Sequence, residues 1–164
     1  MRKIPEVILS ALGNDVDYSA GFTDCVERLR ALLCDFLRVD MRHEKDMDYS
    51  PAQYICFTFH EKVHGSKYSF EVRYYISSKG KLFAVYILDK NMRVTRNGGI
   101  GHPVKLNEVP DIVSSMISSG ISFMKNTGYF EVENDWFFVP APGCLTQLDG
   151  LQATIFEALF SEIV

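Results

Sequence analysis

Residues 53–95, from Gln53 to Thr95, read QYICFTFHEKV-HGS-KYSFEVRYYIS-SKG-KLFAVYILDKNMRVT. Three runs rich in aromatic and β-branched residues, at about 53–63, 67–77 and 81–95, are parted by His64-Gly65-Ser66 and Lys79-Gly80. That is the pattern of strands and tight turns. The middle run alternates strictly, with Tyr68, Phe70, Val72, Tyr74 and Ile76 on one face and Lys67, Ser69, Glu71, Arg73 and Ser77 on the other. The third sets Leu82, Ala84, Tyr86 and Leu88 opposite Phe83, Val85 and Ile87, apolar on both faces. Such a run belongs to a central strand, or to one whose second face is covered by another subunit. The segment therefore reads as a β-meander.

Helices flank it. Upstream, Phe22, Cys25, Val26, Leu29, Leu32, Leu33, Phe36 and Leu37 recur at helical spacing behind Ser19 as N-cap, predicting a helix over about 20–39. A shorter helix precedes it, between Pro5 and Gly13. The polar stretch from Val39 to Pro51 reads as a loop, as does Asn97 to Pro103. Downstream, Val109, Ile112, Val113, Met116, Ile117, Gly120, Ile121 and Met124 form a second helical stripe, with Asn107 as N-cap candidate. Tyr129–Glu133 and Trp136–Val139 read as two short strands around an Asn134-Asp135 turn, ended by Pro140 and Pro142. A last helix is expected from Asp149, with Gln152 three residues on as its capping-box partner. After a short extra N-terminal helix, the order is α-β-β-β-α-β-β-α. Strands joined by short turns must pair antiparallel, so the class is α+β. The expected organisation is one domain over 1–164, with 1–18 as an N-terminal extension and 19–163 as the core.

Composition sets the outer bounds. The 164 residues are 47% hydrophobic and 23% charged, and no window approaches a membrane-spanning run. A net charge of −4 argues against nucleic-acid binding, which depends on neutralising phosphates. The charge is uneven. Residues 1–105 hold 16 basic and 13 acidic side chains, whereas 106–164 hold Lys125 against eight acids. Lys79, Lys81, Lys90, Arg93, Arg96 and Lys105 face only Asp89, which makes a solvated hairpin or a basic docking patch. Cys25, Cys34, Cys56 and Cys144 have no close pairing, so neither a redox pair nor a Cys-rich zinc knuckle is present. The apolar run near Met1 is too short and broken for a secretory signal. These features place the protein in the cytoplasm, reduced, with no membrane association.

Several fragments resemble catalytic or binding motifs. His60-Glu61-Lys62-Val63-His64 satisfies H-E-x-x-H, which in a zinc hydrolase sets two ligands one helical turn apart. Here it stands in strand-and-turn text, where residues four apart lie about 13 Å from each other. Lys79 to Tyr86 partly matches an RNA-stacking pattern but misses three positions. Gly98, Gly99 and Gly101 match neither dinucleotide nor P-loop spacing. Cys144 and His102 sit in separate loops with nothing local to join them. No cofactor and no catalytic set follow, and the zinc hydrolase built on His60 and His64 remains the enzymatic alternative.

With 20 Phe and Tyr and one Trp, some aromatics should lie on faces that one helix layer cannot cover. Tyr54, Tyr75, Tyr86, Trp136 and Phe138 are the expected partner-binding residues, since Tyr and Trp concentrate at interfaces. The element order is similar to that of the bacterial type III secretion chaperone-like superfamily. Leu29, Leu32, Leu33 and Phe36 resemble its first helix, Asn126-Thr127-Gly128-Tyr129-Phe130 its fourth-strand approach, and Leu145, Leu148 and Leu151 the start of its last helix. The resemblance implies a non-catalytic, often dimeric protein that binds another protein. The expectation is a homodimeric, chaperone-like or regulatory module that recognises its partner through an exposed sheet face or aromatic groove. An immunity-type inhibitor whose acidic half caps a basic toxin is the related alternative.

Overall fold

In the computed structural model, which describes residues 2–90 and 103–163, the meander forms the centre of the molecule. Strands β2 (Ala52–Val63) and β3 (Ser66–Ser77) pair antiparallel over twelve positions, from Ala52↔Ser77 to Val63↔Ser66. Their two-residue turn places His64 at φ 48° and Gly65 at φ 79°. Left-handed residues at both turn positions match the twist of a tight hairpin. Strand β4 (Leu82–Asp89) adds to β3 antiparallel, also as expected.

Two further strands complete the sheet in the order β1-β2-β3-β4-β5. The first, β1 (Arg42–Glu44), pairs antiparallel with β2 inside the stretch read as a loop. The last, β5 (Phe130–Glu131), runs parallel to β4, so the sheet is mixed rather than antiparallel. The connection from Asp89 to Phe130 is long and contains a helix, which is what a parallel crossover needs.

Helix α1 (Glu6–Leu12) and helix α2 (Ala20–Leu37) match their sequence patterns. In α2 the Ser19 hydroxyl accepts from the Phe22 amide, and Arg38 in the left-handed region ends the helix. Helix α3 (Asp111–Asn126) begins after Pro110 rather than at Asn107. Beyond it the chain departs from expectation. Asn134–Trp136 is a 3-10 turn, not a hairpin tip, and the strand is β6 (Pro140–Leu145), which contains both prolines expected to end it. β6 pairs only with β7 (Gln152–Thr154), irregularly, in a two-stranded ribbon, and prolines are tolerated on such an edge. The last helix, α4 (Ile155–Leu159), is capped by Thr154 and Glu157 rather than by Asp149 and Gln152. Among the described residues no helix is long and apolar enough to cross a membrane.

The alternation of the strands delivers two apolar sets to two layers. Ile55, Phe57, Val72, Tyr74, Phe83 and Val85 meet α2 and α3. Tyr54, Cys56, Tyr75, Ala84 and Tyr86 meet α1, Trp136, Phe137 and α4 on the opposite face. At about 1.5–3 kcal/mol per buried aliphatic or aromatic side chain, wetting either face would outweigh a domain's whole stability of about 5–15 kcal/mol. The domain is thus α+β in three layers. Ile8, Ala11 and Leu12 of α1 are buried in the same cluster as Tyr54, Tyr75 and Phe156.

Candidate functional site

Four of the five expected partner-binding aromatics lie inside the molecule. Tyr54, Tyr75, Tyr86 and Trp136 are buried, and only Phe138 is exposed. The expectation assumed one helix layer, whereas the C-terminal segment supplies a second. Phe137 stacks on Tyr86 and Phe156 packs tilted against it, with ring centroids at 5.9 and 5.3 Å, and Phe156 meets Tyr75 edge-on. Burial holds the Tyr86 hydroxyl up at about 12. Arg2 covers Trp136 from outside, its guanidinium carbon 4.3 Å from the ring. No exposed sheet face or aromatic groove remains at these positions.

The basic residues are dispersed as well. Lys79 donates to the Leu12 carbonyl at 3.1 Å, Lys81 stands 5.9 Å from the Tyr129 ring centroid, and Lys90 lies 4.0 Å from Glu71. Arg93 and Arg96 lie outside the described residues, as do His102 and the three glycines of the loop before α3. His60 sits on β2, paired with the Ser69 hydroxyl at 2.8 Å, and His64 is in the turn, so the two share no helical face. Among the described residues, no three His, Cys, Asp or Glu side chains are grouped to hold a metal ion. Phe83 and Tyr86 of the RNA-like fragment are both buried and belong to opposite faces.

What the structure brings together is a charged cluster on the face read as the polar side of β3. Arg73 donates to Glu71 at 2.8 Å, to Asp46 at 3.2 Å and to the Tyr75 hydroxyl at 2.8 Å, and it lies 4.3 Å over the Tyr54 ring. Asp46 also accepts from Tyr75 at 2.8 Å and from Ser161 at 2.6 Å. Arg42 donates to Glu71 at 2.6 Å from the β1 side. Burial works against the charge on Arg73, and the Tyr75 oxygen and Glu71 carboxylate more than restore it, so the guanidinium stays above its ordinary value. The cluster joins three segments remote in sequence, at 42–46, 71–75 and 161. It is a clamp, because its donors and acceptors serve one another. Cys56 beside it is buried, and burial raises its thiol above the ordinary range against the pull of Arg42, whose Nη2 donates to the sulfur at 3.4 Å. The Glu-x-Arg-x-Tyr spacing of β3 was the available signal, since period two puts all three on one face.

Two surface features remain. A cleft of about 290 Å³ is floored by Val85, Ile87, Ile117 and Ile121 and rimmed by Glu131, Glu133 and Asp135. Burial raises the Glu131 carboxyl, against the pull of Lys125 at 3.3 Å. The second feature is the loop joining β6 to β7. Leu145 at the end of β6 and Leu148 and Leu151 on the loop are 61–68% exposed. The loop is nonetheless tightly bonded: the Thr146 amide donates to the Leu151 carbonyl at 2.9 Å, the Gly150 amide to Thr146 at 3.0 Å, and the Leu151 amide to Asp149 at 3.0 Å. The Thr146 hydroxyl also bonds Asp149, and the Gln147 amide donates to Glu162. The Thr146 hydroxyl and then the Leu151 amide hold the Asp149 carboxyl below the ordinary range.

A three-layer α+β domain with a mixed sheet, an internal ionic clamp and a hydrogen-bonded, leucine-bearing loop is the class of protein defined. No protein-family model matches the chain, and neither a curated protein nor a solved structure does.

Proposed function

We propose that this protein is a non-catalytic protein-binding module that seats its partner on the leucine loop of β6–β7. The observation that carries this reading is three exposed leucines within seven residues, one ending β6 and two on a loop held by its own hydrogen bonds. Isolated exposed leucines are ordinary, whereas a cluster on one ordered element is what an interface core requires. A loop already held in one conformation loses little entropy when it binds. The surroundings specify the partner's chemistry. Glu157 and Glu162 line a cleft beside Leu145 and Gln147, with Lys79 among them, and Asp149 and Glu162 stand within the loop's own bonding network. The complementary surface presents apolar side chains among lysines and arginines. The resemblance to secretion chaperone-like proteins supports the same class, and the acidic setting equally supports an inhibitor of a basic toxin.

The test compares tagged wild-type protein with Leu148→Asp/Leu151→Asp in pull-downs from the native host, read by mass spectrometry. A partner held near stoichiometry by the wild type, released by 1 M salt and lost with the double variant is the expected result. Salt acts because screening shortens to about 3 Å at that concentration. A partner retained by the double variant would overturn the assignment of the loop, and the partner's identity separates chaperone from inhibitor.

A further inference from the structure

The outer face of α2 carries a charge pattern that is complementary to itself. Glu27 and Arg30 are engaged at its side: Arg30 pairs with Glu27 at 2.7 Å, and Glu27 reaches His43 on β1 at 3.1 Å. The face turned away from the sheet holds Asp24, Arg28, Ala31, Leu32 and Asp35, all exposed, with Arg38 at the helix end. These five lie within a narrow arc of the helix, since steps of three, four and seven residues return to nearly the same side. Among the described residues the side chains of Asp24, Arg28 and Arg38 form no ion pair or hydrogen bond; the Arg38 amide donates to the Cys34 carbonyl at 2.8 Å. Asp24 and Arg28 stand one turn apart, a spacing that allows a pair, and do not form one. Leu32 and Phe36 are each about half exposed, and the Phe36 ring lies tilted against Phe123 of α3 with centroids 5.0 Å apart.

We infer that a second copy of this chain docks on α2, the two helices running antiparallel about a two-fold axis between Ala31 and Leu32. A two-fold axis there carries residue i onto residue 63 minus i. Arg28 then meets Asp35 of the second copy, about 5 Å along the helix from the axis at 1.5 Å per residue. Arg38 comes within one residue of the second copy's Asp24, and Leu32 sits over Ala31. A small residue opposite a large one at the centre lets the helices approach, and opposite charges flank that centre on both sides by symmetry. An isologous interface requires this self-complementarity, and a helix face that is merely solvated does not. Moving the axis by two residues sets Arg28 opposite Ala31 or Val39 instead of Asp35. The face is independent of the leucine loop. Helix α2 covers one side of the sheet and β6–β7 the other, so a dimer built this way leaves both loops free.

Sedimentation equilibrium of the full chain tests this directly, using wild type, Arg28→Glu, Asp35→Arg and the two changes combined. The wild type is expected at about 37 kDa, twice the 18.7 kDa of one chain. Each single reversal turns two symmetry-related attractions into repulsions and should weaken association about tenfold. The combined variant restores the pairing with its signs exchanged and should return to within about threefold of wild type. Far-UV circular dichroism confirms that all four are folded, and the exposed positions make that the expected outcome. A wild type that sediments as a monomer overturns the inference. So does a dimer indifferent to either reversal, or a combined variant no tighter than the singles.

Discussion

Arg73→Met removes the centre of the ionic clamp, and its cost can be set against a control on the same carboxylate. Arg73 is only 16% exposed in its side chain and bonds Glu71, Asp46 and Tyr75, while Glu71 itself is almost fully buried. Arg42 still reaches Glu71, but Asp46, whose side chain is 9% exposed, loses its cationic partner, and a buried charge left without compensation costs about 3–5 kcal/mol. In a chain of this length each kcal/mol moves the midpoint by about 2–4 °C, so the melting temperature should fall by roughly 6–20 °C. Arg42→Met is the control. Arg42 makes the shorter bond to Glu71, 2.6 Å against 2.8 Å, but its side chain is 54% exposed. Water screens that pair, and Arg73 still serves the carboxylate, so the loss should stay within about 1 kcal/mol. Urea denaturation followed by the single buried tryptophan, Trp136, together with calorimetry, measures both. Should Arg73→Met fail to fold, Arg73→Lys serves instead. It keeps the charge without the forked donors, and should fall between wild type and the Met variant. Equal costs for Arg42 and Arg73, or a larger cost for Arg42, would refute the view that burial rather than bond length sets the strength of this cluster.

Two other outcomes follow from close packing and from titration. Gly120 on α3 rests against Tyr74. A Cβ there would collide with the Tyr74 hydroxyl and lie 2.9 Å from its ring carbon Cζ, so Gly120→Ala should destabilise by about 1–3 kcal/mol despite alanine's better helix propensity. The same substitution in a Tyr74→Phe background should cost less, and thermal melts of the four proteins would expose a wrong contact by showing simple additivity. Glu131→Gln should stabilise the protein at neutral pH. The folded carboxyl is raised above 4.5, chiefly by burial, so its ionisation penalises the native state fully above the folded value and not at all below the unfolded one. The advantage of the Gln variant should therefore shrink to nothing as pH falls through the ordinary glutamate range. A constant difference across that range would show that the carboxyl is not desolvated.

The local elements were legible wherever a periodic pattern met its own punctuation. Helix α2 is announced by its apolar stripe and by Ser19, and the β2–β3 hairpin by alternation and a His-Gly turn, because those signals depend on residues within a few positions of each other. The C-terminal third was not. Trp136, Phe137 and Phe138 read as a strand, and Leu145, Leu148 and Leu151 as part of a helical approach, since apolar runs this short carry no period that separates strand, turn and loop. The leucines were noticed, but nothing in their spacing reveals that they point outward.

Composition and periodicity by themselves determined the α+β class, the antiparallel meander, both long helices and the acidic bias of the last sixty residues. Only the tertiary structure decided that β5 joins the sheet in parallel and that a second layer closes over Tyr54, Tyr75 and Tyr86. It alone brought Asp46, Arg73 and Ser161, distant in sequence, into one clamp. The physical reason is that propensity and pattern act over one or two turns of chain. Which face is covered, and by what, depends instead on contacts between segments a hundred residues apart, such as the bond between Ser161 and Asp46.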